Sequence, residues 1–238
     1  MASFEKMDEA IEYNLKAIKV DINNNSYWLN LALTLRDNYP KEYTEEMANL
    51  YLSLFERDLA LDPINLVNSS LNMLKNHSIF KIKIINLNID DPELELNICK
   101  GLNKLKLLLK IMKTNLICDI EVEKLFIKLR KSMLLNKNYF ANQDDLNEFK
   151  IALASQCFLN EYTYRETPEE RFIIEKLESE INSEETNETS LDANTILLLS
   201  AYRPLNKYKY FISKPHENEL HEVYKEQIDN VLNDQLIS

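Results

Sequence analysis

The side chains best suited to chemistry are three histidines and three cysteines, and their spacing argues against most of what such residues do. His77, His216 and His221 are the only histidines. His216 and His221 stand five positions apart, not the four that would set both on one helical face as metal ligands with a glutamate between them. The expectation is a surface pair and no metal site. Cys99, Cys118 and Cys157 are too few and too widely spaced for a zinc cluster or a disulfide framework. Cys118 and Cys157 fall in strongly apolar stretches, where a cysteine behaves as a small hydrophobe, so both are expected to be buried. A thiol nucleophile at Cys157 would need exposure, and its neighbours Leu153, Phe158 and Leu159 argue for burial. Glu175, Glu178, Glu180, Glu184, Glu185 and Glu188 read as a solvated face.

Two helix ends are more informative. Gln156-Cys157-Phe158-Leu159-Asn160-Glu161-Tyr162 sets several polar groups at the close of an apolar helix, an arrangement that needs hydrogen-bond partners if it is buried. Asn160 and Glu161 are placed either to cap neighbouring helices or to face a partner. Tyr202-Arg203-Pro204-Leu205 is a second helix end of the same kind.

Composition removes whole classes of function. The 238 residues include a single glycine, Gly101, where average usage would be about 7%. Glycine lets backbone take positive φ and approach a phosphate closely. Dinucleotide-binding turns, phosphate-cradling loops and the Gly-rich cofactor turn of class I methyltransferases all need more than one. A formal charge of −11 argues against nucleic acid and anionic membrane as partners. The opening Met-Ala-Ser-Phe-Glu-Lys lacks the apolar core of a signal peptide. No apolar run approaches the roughly 18 to 20 residues of a membrane span. The expected compartment is the reducing cytoplasm.

The elements that must position these residues are all helical. Periodicity predicts helices over 4–21, 26–36, 42–61 and 66–75, with Asp62-Pro63 stopping the third because the residue before proline disfavours helical geometry. Within a stretch over 78–87, Phe80-Lys-Ile-Lys-Ile-Ile alternates in period two yet has no strand to pair with, so it reads as helix or extended linker. Asp90-Asp91-Pro92-Glu93 starts a long helix to about Lys113. Asp119 caps another over 120–135, with Val122, Leu125, Phe126, Leu129 and Met133 on one face. Asp144-Asp145 begins a helix to Tyr162, and Thr167-Pro168-Glu169-Glu170 one to Ile181. Residues 182–194 read as a mobile acidic loop, followed by helices over 191–202 and 217–232.

The first 63 residues fit a tetratricopeptide pattern. Trp28, Leu31, Ala32 and Leu35 take the signature positions of a repeat, which Phe55 and Pro63 close after about seven extra residues near Pro40. The aromatic ring packs on the partner helix, and the small residue lets the helices approach. The first helix of the first repeat is missing, so the chain is expected to start in mid-repeat. The predicted architecture is all-α: tetratricopeptide-like hairpins over 1–63, then an irregular helical bundle over 64–238.

The later motifs carry a family likeness. Asp119-Ile-Glu-Val-Glu-Lys-Leu-Phe-Ile-Lys-Leu-Arg130, Gln156 to Tyr162, Tyr202-Arg203-Pro204-Leu205 and Glu226-Gln227-Ile228-Asp229-Asn230-Val231-Leu232 occur in that order. The chain resembles the helical region that precedes the catalytic domain in tetratricopeptide-containing, class I S-adenosylmethionine-dependent methyltransferases of bacteria. Rickettsial protein-lysine methyltransferases are similar too, and a sequence rich in Asn, Ile and Lys suits an AT-rich genome. The resemblance implies a non-catalytic region for substrate recognition or dimerisation. Its implied partner is a protein or peptide, a methyltransferase catalytic domain, or a second copy. Trp28, Gln156, Asn160, Glu161, Tyr162, Tyr202 and Arg203 are then the interaction candidates. No catalytic, cofactor or metal residue is implied, since S-adenosylmethionine would belong to a catalytic domain expected beyond Ser238. Such a region should expose apolar surface near Tyr162 and Tyr202. The alternative, a free-standing tetratricopeptide-like adaptor, should be a well-covered monomer. An enzyme using a carboxylate cluster in a deep cleft is the third reading.

Overall fold

The computed structural model describes residues 2–37, 40–85, 91–141, 143–182, 191–212 and 220–229. Among them the chain is all-α, with no strand. It divides into two compact units, Met1–Ile85 with Leu105–Ile111, and Asn86–Lys104 with Met112–Ser238. The position after residue 63, where the sequence suggests a boundary, lies inside the first unit.

In the first unit, α1 (Ala2–Val20) packs on α2 (Asn25–Asp37), and α2 packs on α4 (Ile64–Leu74). The expected signature residues Trp28, Leu31, Ala32 and Leu35 are all buried. Between them runs α3 (Glu45–Phe55), whose N-cap Thr44 accepts a bond from the Met47 N–H at 3.1 Å. This helix stops at Phe55 rather than Leu61, because Arg57 is drawn into tertiary contact. Its guanidinium lies 4.1 Å from the Trp28 ring and donates to the Ile22 carbonyl at 3.1 Å. The Trp28 indole donates to the same carbonyl at 2.8 Å. Inside the unit, Ser69 donates to the Leu35 carbonyl at 2.6 Å and is hydrogen-bonded to the Tyr51 hydroxyl. The segment that alternates in period two is helical, α5 (Ser78–Ile85).

The second unit opens with α6 (Pro92–Leu102), capped by Asp91, which accepts from the Glu93 and Leu94 N–H groups. The single long helix expected to reach Lys113 is broken. Asn103 donates to the Asp145 carbonyl and accepts from the Phe149 N–H, both at 2.7 Å. The chain then resumes as α7 (Lys106–Thr114), most of which belongs to the first unit. Asp119 caps α8 (Ile120–Leu135) as expected, accepting from Glu121 and Val122. A short α9 (Lys137–Ala141) and a 3-10 turn, Asp144–Leu146, lead into α10 (Asn147–Leu159). There follow α11 (Pro168–Asn182) and α12 (Ala193–Ser200). After a 3-10 turn, Leu205–Lys207, come α13 (Lys209–Ile212) and α14 (His221–Tyr224), the last running into a π-helical turn, Lys225–Asp229. Within the unit α10 packs against α12 and α14, and α8 against α9, α11 and α12.

Cys157 is buried as expected, but Cys118 is exposed. It lies in the connection before α8, where Ile117 takes the buried place and turns its neighbour outward. His216 and most of the expected acidic loop fall outside the described residues.

Candidate functional site

The end of α10 shapes the site. Gln156 is fully buried, and with its amide oxygen and nitrogen exchanged it donates to the Asn115 carbonyl and accepts from the Ile117 N–H, both at 3.2 Å. Asn160 caps the helix C-terminus. The next two residues, Glu161 and Tyr162, have φ of 55° and 58°, both left-handed. The Tyr162 N–H reaches back to the Cys157 carbonyl at 2.9 Å, and the Glu161 N–H to the Phe158 carbonyl at 3.0 Å. Glycine normally closes a helix in this way. With side chains, each left-handed residue costs about 1–2 kcal/mol.

One bond draws the end of α12 to this turn, and two more from Gln227 brace it. The Tyr162 hydroxyl donates to the Ser200 carbonyl at 3.1 Å. The fully buried Gln227 donates to the same carbonyl and accepts from the Leu205 N–H, both at 3.2 Å. The two helix ends thereby line a surface cleft of about 870 Å³ with Phe158, Glu161, Tyr162, Tyr202, Arg203 and Asn206 in its wall. The Phe158 and Tyr162 rings meet edge to face, 6.4 Å between centroids.

Arg130, only 1% exposed, supports the cleft from behind. It donates to the carbonyls of Ala201, Tyr164 and Arg165 at 3.4, 3.3 and 3.2 Å. Its guanidinium lies 4.1 Å from the Tyr202 ring and 3.8 Å from the Glu170 carboxylate. Glu170 also accepts the Tyr202 hydroxyl at 2.6 Å and the Thr167 N–H at 2.7 Å, while Thr167 accepts from the Glu170 N–H at 3.3 Å. Thr167 and Glu170 therefore form a capping box whose glutamate doubles as the counter-ion of a buried arginine. Burial, then Glu170, pushes the Tyr202 hydroxyl far above its ordinary range. Burial also lifts the Cys157 thiol to about 11. At neutral pH these groups are protonated, so they offer hydrogen bonds rather than a nucleophile.

Arg203 is held at the cleft wall by carboxylates. It pairs with both oxygens of Glu166, one of them at 3.2 Å, and stands 3.7 Å from Glu178. The hydrogen bond from Arg203 holds Glu166 below the usual carboxylate range. Glu178 also accepts the Tyr208 hydroxyl at 2.6 Å. Glu178 is thus a structural partner, not part of a free solvated face. Several polar atoms here are buried without a partner: Arg130 Nε, both amide atoms of Asn160, the Tyr164 hydroxyl oxygen and Asn206 Oδ1.

Of the residues read from the sequence, Glu161, Tyr162, Tyr202 and Arg203 meet at this cleft. Asn160 lies at the start of its turn, and Gln156 is an internal strut. Trp28 lies in the other unit as a core residue. The sequence reading named Arg130, Glu170 and Gln227 only within motifs and a helix start, not as site residues. Arg130 stands four after Phe126 and three before Met133, in register with the apolar stripe of α8, and a charge in that register is the available signal. Among the described residues no group of three His, Cys, Asp or Glu side chains could hold a metal, and no helix is long and apolar enough to cross a membrane. No protein-family model, curated protein or solved structure matches the chain.

Proposed function

We propose that this chain is a non-catalytic, protein-binding helical region of an S-adenosylmethionine-dependent protein methyltransferase, and that it holds its partner at the cleft between the ends of α10 and α12. One observation carries the reading. Glu161 and Tyr162 lie about forty positions from Tyr202 and Arg203 in sequence, and both pairs belong to stretches that resemble the methyltransferase helical region, yet they line one cleft. Strained backbone tends to persist where a site requires its geometry.

Reading the source gene beyond Ser238 is the test. A Gly-rich cofactor turn encoded there supports the proposal, and unrelated sequence overturns it. Co-expressed with the domain so encoded, the chain should co-elute with it, and Glu161→Lys, an exposed change at the rim, should abolish that.

A free-standing adaptor is the second reading. It draws on the complete burial of Tyr202, which makes the apolar surface at this cleft smaller than the first reading expects.

A further inference from the structure

Three of the large exposed apolar side chains of the second unit gather elsewhere, on the face formed by α8, α9 and α11, while Leu116, Ile120 and Ile212 do not line this groove. Leu135 at the end of α8 is 38% exposed, Tyr139 on α9 44%, and Phe172 on α11 70%. Single exposed hydrophobes are ordinary on any protein surface. These three line one groove of about 530 Å³, and clustering of that kind marks an interaction surface. The helix pattern explains the exposure. On α11 the stripe Glu170, Ile174, Leu177 and Ile181 is buried, which leaves Phe172 and Lys176 together on another face, four residues apart.

The charge around the groove has the opposite sign to the protein as a whole. Lys137 and Lys176 stand in its wall. An adjoining hollow of about 240 Å³ shares Leu135 and Asn136 with it and adds Lys128 and Lys131. The carboxylates close to these lysines include Glu95, 3.4 Å from Lys128, Glu180, 3.9 Å from Lys176, and the exposed Glu169, which feels the charge of Lys131. The pair of Glu180 and Lys176 is solvent-exposed on both sides and contributes little. A chain with 39 acidic and 28 basic residues therefore sets four lysines beside an apolar floor here. Lysine stems extend such a floor while their ammonium groups keep to its rim. Charge complementarity of this kind selects the partner.

We propose that this groove is a second protein-binding surface and that it takes an acidic amphipathic helix of another protein. Apolar side chains at three- and four-residue spacing would fill the groove between Leu135, Tyr139 and Phe172, and flanking carboxylates would meet Lys131, Lys137 and Lys176. This surface is independent of the α10–α12 cleft and stands or falls without it.

The test is an unbiased selection. A display library of random peptides is panned on the full chain and counter-selected on Phe172→Asp, and the survivors are sequenced and titrated by fluorescence anisotropy. The expected survivors are net negative with Leu, Ile or Phe at helical spacing. They should weaken tenfold or more on Phe172→Ala, and by a similar factor on the Lys137→Glu, Lys176→Glu double variant. Both variants change exposed positions, and unchanged circular dichroism melting confirms their folding. Survivors that are neutral or basic overturn the proposal, as does a library that yields no Phe172-dependent binder. Sedimentation of the free chain as a dimer that Phe172→Ala dissolves also overturns it, because the occupant is then a second copy.

Discussion

The two units keep their polar groups in different ways. In the first, the buried polar contacts are neutral and close to the backbone: Ser69 bridges the Tyr51 hydroxyl and the Leu35 carbonyl, and the Trp28 indole rests on the Ile22 carbonyl. In the second, charges are buried. Arg130 and Glu170 are each 1% exposed, Glu95 accepts from Ser132, and Lys150 donates to the Phe140 carbonyl at 3.2 Å. A stack of helical hairpins needs little beyond size and periodicity to define it. An irregular bundle brings helix ends together that no local rule would join, and its buried charges do the joining. Both candidate interaction surfaces lie in the unit built in the second way.

The largest effect that would test this contrast comes from Glu170→Ala. Removing the counter-ion of a buried arginine costs about 3–5 kcal/mol, and urea unfolding should lose that much. A double replacement, Arg130→Met with Glu170→Leu, should cost clearly less than Glu170→Ala alone. If the single change costs under about 1 kcal/mol, the charges do not organise this unit as described. Trp28→Ala should cost about 3–5 kcal/mol through its cavity alone.

A smaller effect has the opposite sign. Glu161→Gly relieves the left-handed strain of about 1–2 kcal/mol and gives back some 0.5–1 kcal/mol in chain entropy. The net expectation is a slight stabilisation in chemical denaturation, and a loss of 1 kcal/mol or more would mean that the turn is not strained.

The smallest effect is a pH slope. Burial holds the Glu226 carboxyl above its ordinary value of 4.5, although Ser155 donates to it at 2.7 Å. The folded state therefore keeps this proton more tightly than the unfolded chain. Its contribution to stability is complete below about 4.5 and is lost as pH rises through the higher folded value. Glu226→Gln should flatten the fall in urea midpoint above that pH, and an unchanged profile would count against the assignment. Glu166, held low by Arg203, contributes in the reverse direction, with stability lost as pH falls.

What could be read from the sequence was what local chemistry decides. Asp119 and Asp91 cap the helices they were expected to cap, and the apolar stripe of α8 is buried as its spacing requires. The failures have distant causes. α3 ends early because Arg57 is recruited by Trp28 and Ile22, and the helix expected from 90 to 113 breaks because Asn103 binds Asp145 and Phe149. Neither partner is within helical reach in the sequence. α9 and α13 are too short for periodicity to reveal. At the site, the polar helix ends were legible as a departure from pattern. The arginine behind them was hidden in an otherwise apolar stripe.

The first unit's use of Leu105–Ile111 bears on how the chain is made. Domains tend to form as they emerge during synthesis from the N-terminus. When Ile85 leaves the ribosome, this unit still lacks a stretch in which Leu107, Leu108 and Ile111 are buried. That stretch arrives only after α6, which belongs to the other unit. The nascent first unit is therefore without that buried stretch while part of the second is already outside. A fragment cut at residue 63 or at residue 85 would be left permanently without it.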